Sequence, residues 1–283
     1  MDSLHLRTPG KINWCIRVLG KRADGYHELD MLLNSVDLYD QVTLTLSDRP
    51  GVRLCCPGAP EGPGNLAWRA AERLLPEGLG VDIAIDKGIP VAGGMAGGSA
   101  DAAAVLLGLN RLLGGPYAPA ELAELGLSLG ADVPFCLAGG CQRAQGVGER
   151  LTPAALPSYP LVILGSGAAL STATVFRALT PPYAPGRVEA VMDALAGGDA
   201  RAVARVWFNA LETASLPLCP AVGRAMDDLI QAGAAGARMS GSGPTVFGLF
   251  AEEAAAQRAA AELAGRYPLC RVAHTLDTGI LRA

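Results

Sequence analysis

Between residues 81 and 113 the chain passes from an alternating apolar segment, through paired glycines, into an apolar stretch at helical spacing. Val81, Ile83 and Ile85 fall on every second position, as in a half-buried strand. Ala103, Leu106, Leu107, Asn110 and Leu113 recur at helical spacing and predict a helix opening at Ser99. The connection reads Pro90-Val91-Ala92-Gly93-Gly94-Met95-Ala96-Gly97-Gly98-Ser99-Ala100. Glycines let the backbone turn sharply and come close to a ligand. Their N–H groups, with the N-terminus of the following helix, attract negative charge. The stretch from Pro90 to Ala100 is therefore a candidate phosphate cradle, and Ser99 adds a hydroxyl for a phosphate or a metal ion. Four glycines in six residues also exceed what a tight turn needs. Two well-known cradles are excluded. A P-loop requires Lys after its last glycine, and here Ser99 follows Gly98. The dinucleotide fingerprint spaces its glycines as G-x-G-x-x-G, and these are paired.

The loop names a phosphate but no reaction, and composition narrows the classes. With 283 residues, 50% of them apolar and 18% charged, the chain can bury a large core and form two domains. A net charge of −4, with no run of Lys or Arg, argues against a nucleic-acid partner. The seven cysteines include no CxxC and no zinc spacing, which reads as buried thiols in a reducing cytosol. No signal peptide and no membrane-length apolar run are visible, so the expected location is cytoplasmic, with no membrane partner.

Strands are predicted around Ile12–Val18, at 42–46 and at 81–85, and Asn65 is placed to cap a helix through Leu75. Another helix starts at Pro119 and runs to Leu129. Three prolines between Thr152 and Pro160 mark a domain junction, giving domains 1–155 and 156–283. Beyond it, a strand at 161–164 precedes helices near 172–179, 187–196, 200–214 and 219–232. Strands near 237, 245–250 and 270–276, with a helix at 252–266, complete an α+β pattern with helices on one face of an antiparallel sheet.

Three further constellations carry polar chemistry. Asp132 follows an apolar helix and precedes Pro134, which should stop any further helix. Its carboxylate suits a general base, a Mg²⁺ ligand or the backbone of a turn. Arg238-Met-Ser-Gly-Ser-Gly-Pro-Thr245 is a second Gly/Ser turn between apolar strands, either a ligand-facing loop or a hairpin connection. Lys11 and Asn13 share one strand face. In Asp24-Gly-Tyr26-His27, Tyr26 suits stacking on a flat ring and His27 suits reading its edge, although both also suit ordinary packing.

Pro9-Gly-Lys11-Ile-Asn13, the central glycine loop and the Ser240-Gly-Ser-Gly-Pro244 turn resemble, in order, the three motifs of the GHMP kinases, which include galactokinase, homoserine kinase and mevalonate kinase. Lys21-Arg-Ala-Asp-Gly-Tyr-His27, Leu127-Ser-Leu-Gly-Ala-Asp-Val-Pro134 and Gly146-Val-Gly-Glu-Arg-Leu151 are similar to the branch whose acceptor carries cytidine diphosphate. The resemblance implies a two-domain α+β GHMP fold, with an N-terminal ribosomal-protein-S5-domain-2-like unit, a C-terminal ferredoxin-like unit and an active site in the cleft between them. It implies ATP and Mg²⁺ as cofactors and a small-molecule substrate, with phosphorylation of the 2-hydroxyl of a methylerythritol unit in isoprenoid precursor synthesis. The expected assembly is a monomer or homodimer.

By the same resemblance, Asp132 is the base and Lys11 its partner, keeping the carboxylate ionised and favouring the developing alkoxide. Tyr26 and Phe176 match an aromatic pair that sandwiches cytosine, and His27 a residue that hydrogen-bonds it. Asn13 and Thr172 match further substrate contacts, and Asn65 a nucleotide contact. Two departures stand out. Ala100 replaces a second serine, which bears on metal affinity if that hydroxyl matters. Ala96 replaces a glycine, which is tolerable only at negative φ. Homoserine or mevalonate kinase activity is the alternative within the family, though those acceptors carry no base for Tyr26 and His27. A non-catalytic nucleotide-binding regulator is the alternative outside catalysis, though it should lack Lys11 or Asp132.

Overall fold

Two long antiparallel strands, β1 (Ser3–Lys21) and β2 (His27–Ser47), organise the first half of the computed structural model, which describes residues 2–282. The alternation at 42–46 marks only the last part of β2. Upstream, residues 29–36 are buried on both faces, so no two-residue period shows there. The sheet is completed by β3 (Gly51–Cys55), β4 (Gly80–Asp86), β5 (Cys141–Gly146), β6 (Arg150–Pro153) and β11 (Leu281–Arg282). Its order is β11-β1-β2-β4-β3, with a β5–β6 hairpin on the other part of β2. Four helices accompany it: α1 (Leu66–Leu74), α2 (Gly97–Leu112), α3 (Pro119–Leu129) and α4 (Val133–Ala138). Gly108 of α2 lets the helix lie close on the strands, because a Cβ there would sit 2.4 Å from Leu44.

Pro134 does not stop the helix. It occupies the first turn of α4, where a missing N–H costs nothing, so it starts a new helix with Asp132 at the N-cap. Asn65 caps α1 as expected, its Oδ1 accepting from Ala67 N at 2.9 Å.

A second sheet runs β10-β7-β9-β8, all antiparallel: β7 (Pro160–Gly165), β8 (Gly236–Met239), β9 (Thr245–Leu249) and β10 (Leu269–His274). Its helices are α5 (Thr172–Ala178), α6 (Val188–Ala196), α7 (Ala200–Val206), α8 (Glu212–Leu218), α9 (Pro220–Gln231) and α10 (Glu253–Leu263). The single helix expected over 200–214 is two helices, broken at Trp207. There the chain leaves the helix to pack on β1: Ala210 N donates to Ile16 O at 2.9 Å, and the Trp207 indole donates to Trp14 O. Trp14 is fully buried among Tyr159, Trp207 and Phe247, with ring centroids 5.6 to 6.0 Å away. This aromatic cluster joins the two sheets and fixes β1 against the β8–β9 turn. Five of the seven cysteines are buried, Cys270 is half-buried and Cys55 is exposed. Among the described residues, no helix is long and apolar enough to cross a membrane.

Candidate active site

A cleft of about 500 Å³ opens between the elements of the two sheets. One wall comes from β1, β2, the glycine loop and Asp132; the other comes from Leu170–Thr172, Phe176, Leu211, Gly241 and Ser242. Lys11, Asn13 and Ile16 all line it. Residues 11 and 13 share a face by strand alternation, and a β-bulge between Asn13 and Cys15 shifts the parity so that Ile16 joins them while Trp14 enters the core. Lys11 is only 4% exposed, and its Nζ donates to Asn13 Oδ1 at 2.7 Å and to Gly94 O at 2.9 Å.

The glycine loop is strapped to its surroundings: Lys11 N donates to Met95 O, and Thr245 N to Gly93 O. Its four glycines have separate reasons. Gly94 has φ +78°, and a Cβ there would lie 2.4 Å from Ser240 O; at Gly93, side chains of Pro90 and Thr245 leave no room, and at Gly97 a Cβ would press on Ile89 at 3.1 Å. Gly98 differs, since a Cβ there would meet only Leu66 at 3.9 Å. No protein neighbour demands glycine at 98, and the residue faces the cleft, so the space it leaves fits a phosphate approaching the start of α2. The glycine excess read from the sequence is thus mostly packing, with one position left for a ligand.

Within the loop, Ala92, Gly93, Gly94, Ala96, Gly97, Gly98 and Ser99 line the cleft. Met95 and Ala100 are fully buried, so position 100 packs into the core, where a hydroxyl would not face the cleft. Pro90 and Val91 line a separate recess on the far side of the loop. The expectation that Ala96 keeps a negative φ fails: Ala92 and Ala96 have φ +54° and +59°. Left-handed alanine costs roughly 1–2 kcal/mol per residue, so the loop is held against backbone strain. Asn65 spends its side chain on Ala67 N and Pro60 O, and its neighbour Leu66 faces the cleft instead.

Asp132 lines the cleft and makes no capping hydrogen bond, so the turn role does not occupy its carboxylate. Ser99 stands beside this segment, its Oγ 3.9 Å from where a Cβ on Gly130 would lie. No ion pair joins Lys11 to Asp132 among the described residues, but buried Cys136 senses both. Burial first, then Asp132, pushes its thiol well above the ordinary value, while Lys11 pulls it down.

On the facing wall, Thr172 Oγ1 lies 2.8 Å from Ser242 Oγ, and Phe176 lines the cleft. His27 shares its strand face with Leu29 and Met31. It is 7% exposed and stacks on Phe176 at 5.1 Å and 32°, with Tyr183 edge-on at 6.1 Å. Burial, then the charge of Lys21, lowers its pKa, so the ring is neutral at neutral pH. Among the described residues Tyr26 makes no direct ring contact with Phe176; it is 64% exposed, in the turn before β2.

Two residues set this geometry: Ser240, named from the sequence only as part of its turn, and Asn209, which was not singled out. Ser240 Oγ donates to Gly94 O at 3.0 Å, and Asn209 Nδ2 donates to Met239 O and Gly241 O at 2.9 Å each. The Ser240–Pro244 turn is therefore both a hairpin connection and a cleft wall. Only the Ser/Gly density around 240 hinted at this; nothing local marks Asn209.

Residues 65–140 match the family described as GHMP kinases N terminal domain, and residues 191–269 match GHMP kinases C terminal. The 4-diphosphocytidyl-2-C-methyl-D-erythritol kinase of Geobacter metallireducens is 47% identical over 268 residues, spanning 92% of this chain and 94% of that protein. The protein of the same name from Pelotomaculum thermopropionicum is 44% identical over 259 residues, spanning 89% and 90%. A crystal structure of 4-(cytidine 5'-diphospho)-2C-methyl-D-erythritol kinase superposes with a TM-score of 0.84 at 36% identity, covering 96% of this chain and 99% of its own. Homoserine kinase from Cytophaga hutchinsonii, at 22% identity and a TM-score of 0.77, shares the fold.

Proposed function

The chain belongs to the GHMP kinase family, whose phosphoryl donor is ATP, and on that premise we propose that it phosphorylates the 2-hydroxyl of 4-diphosphocytidyl-2-C-methyl-D-erythritol in the cytoplasm. One observation carries the acceptor assignment: neutral His27 stacks on Phe176, which lines the cleft. A cytosine ring needs an apolar stacking face beside a hydrogen-bonding edge, and homoserine and mevalonate need neither. Tyr26, exposed and preceding His27 in the chain, supplies a second stacking face.

When bound, ATP supplies the phosphoryl group and Mg²⁺ neutralises charge on its oxygens. The loop amides and the start of α2 hold the phosphates where Gly98 leaves room. Mg²⁺ commonly keeps several waters and takes one or two protein groups. That suits this cleft, where Ser99 and Asp132 offer oxygens. Asp132 takes the proton from the acceptor hydroxyl, and Lys11, steadied by Asn13, stabilises the alkoxide that forms. Thr172, held by Ser242, positions the acceptor. The two units divide at residues 155/156, in the connector between β6 of the first sheet and β7 of the second, with β11 at the end of the chain returning to pair with β1.

The test is ADP release with three acceptors, the cytidyl substrate, homoserine and mevalonate, for the wild-type chain and Asp132→Asn. Turnover is expected with the cytidyl substrate alone. Asp132→Asn is expected to lose it while still binding ATP. Turnover with homoserine or mevalonate, or wild-type turnover in Asp132→Asn, refutes the assignment.

A further inference from the structure

Beneath the glycine loop lies a buried charge cluster that phosphoryl transfer itself does not use. Asp40 of β2 is fully buried; its Oδ1 accepts from Gly88 N at 2.7 Å and Ile89 N at 2.8 Å, and its Oδ2 accepts from Lys87 Nζ. Asp101 of α2 is 2% exposed, and its Oδ2 accepts from the same Nζ at 2.6 Å. Its Oδ1 is buried without a hydrogen-bond partner. A Cβ on Gly97 would lie 3.3 Å from Lys87 Nζ, so the ammonium sits directly under the first residue of α2.

Two carboxylates around one ammonium are more than an ion pair needs, and their placement is informative. Asp40 grips the residues where the chain enters the loop, Asp101 grips the helix into which it exits, and Lys87 joins the two. Between these points lie Ala92 and Ala96, both left-handed. Strained backbone persists only where its surroundings over-determine it. We propose that Asp40, Lys87 and Asp101 form a clasp that holds the glycine loop in its strained, phosphate-ready shape, with Asp40 and Asp101 acting as positioning residues for ATP. This rests on the loop taking nucleotide phosphates. Neither carboxylate lines the cleft, so each acts on ATP only through the loop.

Asp101→Asn and Asp40→Asn, made singly in the full chain, test this by calorimetric binding of a non-hydrolysable ATP analogue, acceptor KM and melting temperature. Loss of loop positioning is expected to raise the analogue Kd about tenfold while acceptor KM stays within about twofold. Ala96→Gly, added to Asp101→Asn, removes left-handed strain and is expected to recover roughly half of the loss on a logarithmic scale. A clasp serving stability alone would lower the melting temperature at unchanged Kd, and that result overturns the proposal. So does a Kd loss that Ala96→Gly leaves untouched. Should Asp40→Asn not fold, Asp101→Asn, which keeps an acceptor for Lys87, decides alone. Failure of the wild-type chain to bind the analogue overturns the nucleotide reading, and the clasp with it.

Discussion

Replacing Lys11 by Met separates what this residue does for the fold from what it does for the reaction. Lys11 is 4% exposed, and its ammonium is bonded to two neutral oxygens, Asn13 Oδ1 and Gly94 O. Two bonds to a charged donor contribute roughly 1.5–3 kcal/mol each. Burying the ion costs several kcal/mol in the opposite direction. Methionine keeps the apolar stem and removes both effects. Gly94 O retains Ser240 Oγ at 3.0 Å, so the loop keeps a donor. The net stability change is therefore expected within about 2 kcal/mol of zero, or under about 8 °C in melting temperature for a chain of this size.

The reaction is far more exposed to the change. One preorganised donor aimed at a developing oxyanion contributes about 3–4 kcal/mol, or roughly 10²–10³ in kcat. Lys11→Met is thus expected to lower kcat by that factor, with ATP affinity changed by less than about fivefold. Steady-state ADP release at saturating substrates, a melting curve and direct nucleotide binding measure the three quantities. A kcat within about tenfold of wild type would refute the alkoxide role. So would a loss that merely tracks weakened ATP binding, since Lys11 would then be a strut for Gly94.

The base pocket is testable through Tyr26→Ala. Because Tyr26 is exposed, the melting temperature should not move, whereas loss of one stacking face should raise acceptor KM about tenfold; an unchanged KM removes Tyr26 from the pocket. A pH effect follows from His274, whose Nδ1 lies 3.0 Å from Asp37 Oδ2 and whose Nε2 lies 2.6 Å from Glu253 Oε2, joining the second sheet to β2. Burial opposes its charge, but the Glu253 and Asp37 carboxylates outweigh burial and raise its pKa. Its stabilisation is full below the unfolded value of about 6.5 and is lost as pH rises through the higher folded value. The melting-temperature difference between wild type and His274→Gln should shrink from about pH 6 to pH 8; a constant difference contradicts this.

Local chemistry carried much of the sequence reading. The Asn65 cap, the late antiparallel sheet and the placing of Lys11 and Asn13 on one strand face depend on neighbours a few residues apart, so they were legible. The middle of β2, buried on both faces, has no period to read. The break at Trp207 comes from β1, nearly two hundred residues earlier. The paired glycines from 93 to 98 determined, from sequence alone, that a tight backbone turn leads into α2. Tertiary structure decided which glycine is left free of packing, because that depends on whether Pro90, Thr245, Ser240 or open cleft stands where a Cβ would be. It decided likewise that Ala100 faces the core, that Ala96 is left-handed, and that Asp40 and Asp101 meet on Lys87. Those are contacts across tens to hundreds of residues, set by how the sheets pack and leaving no local pattern.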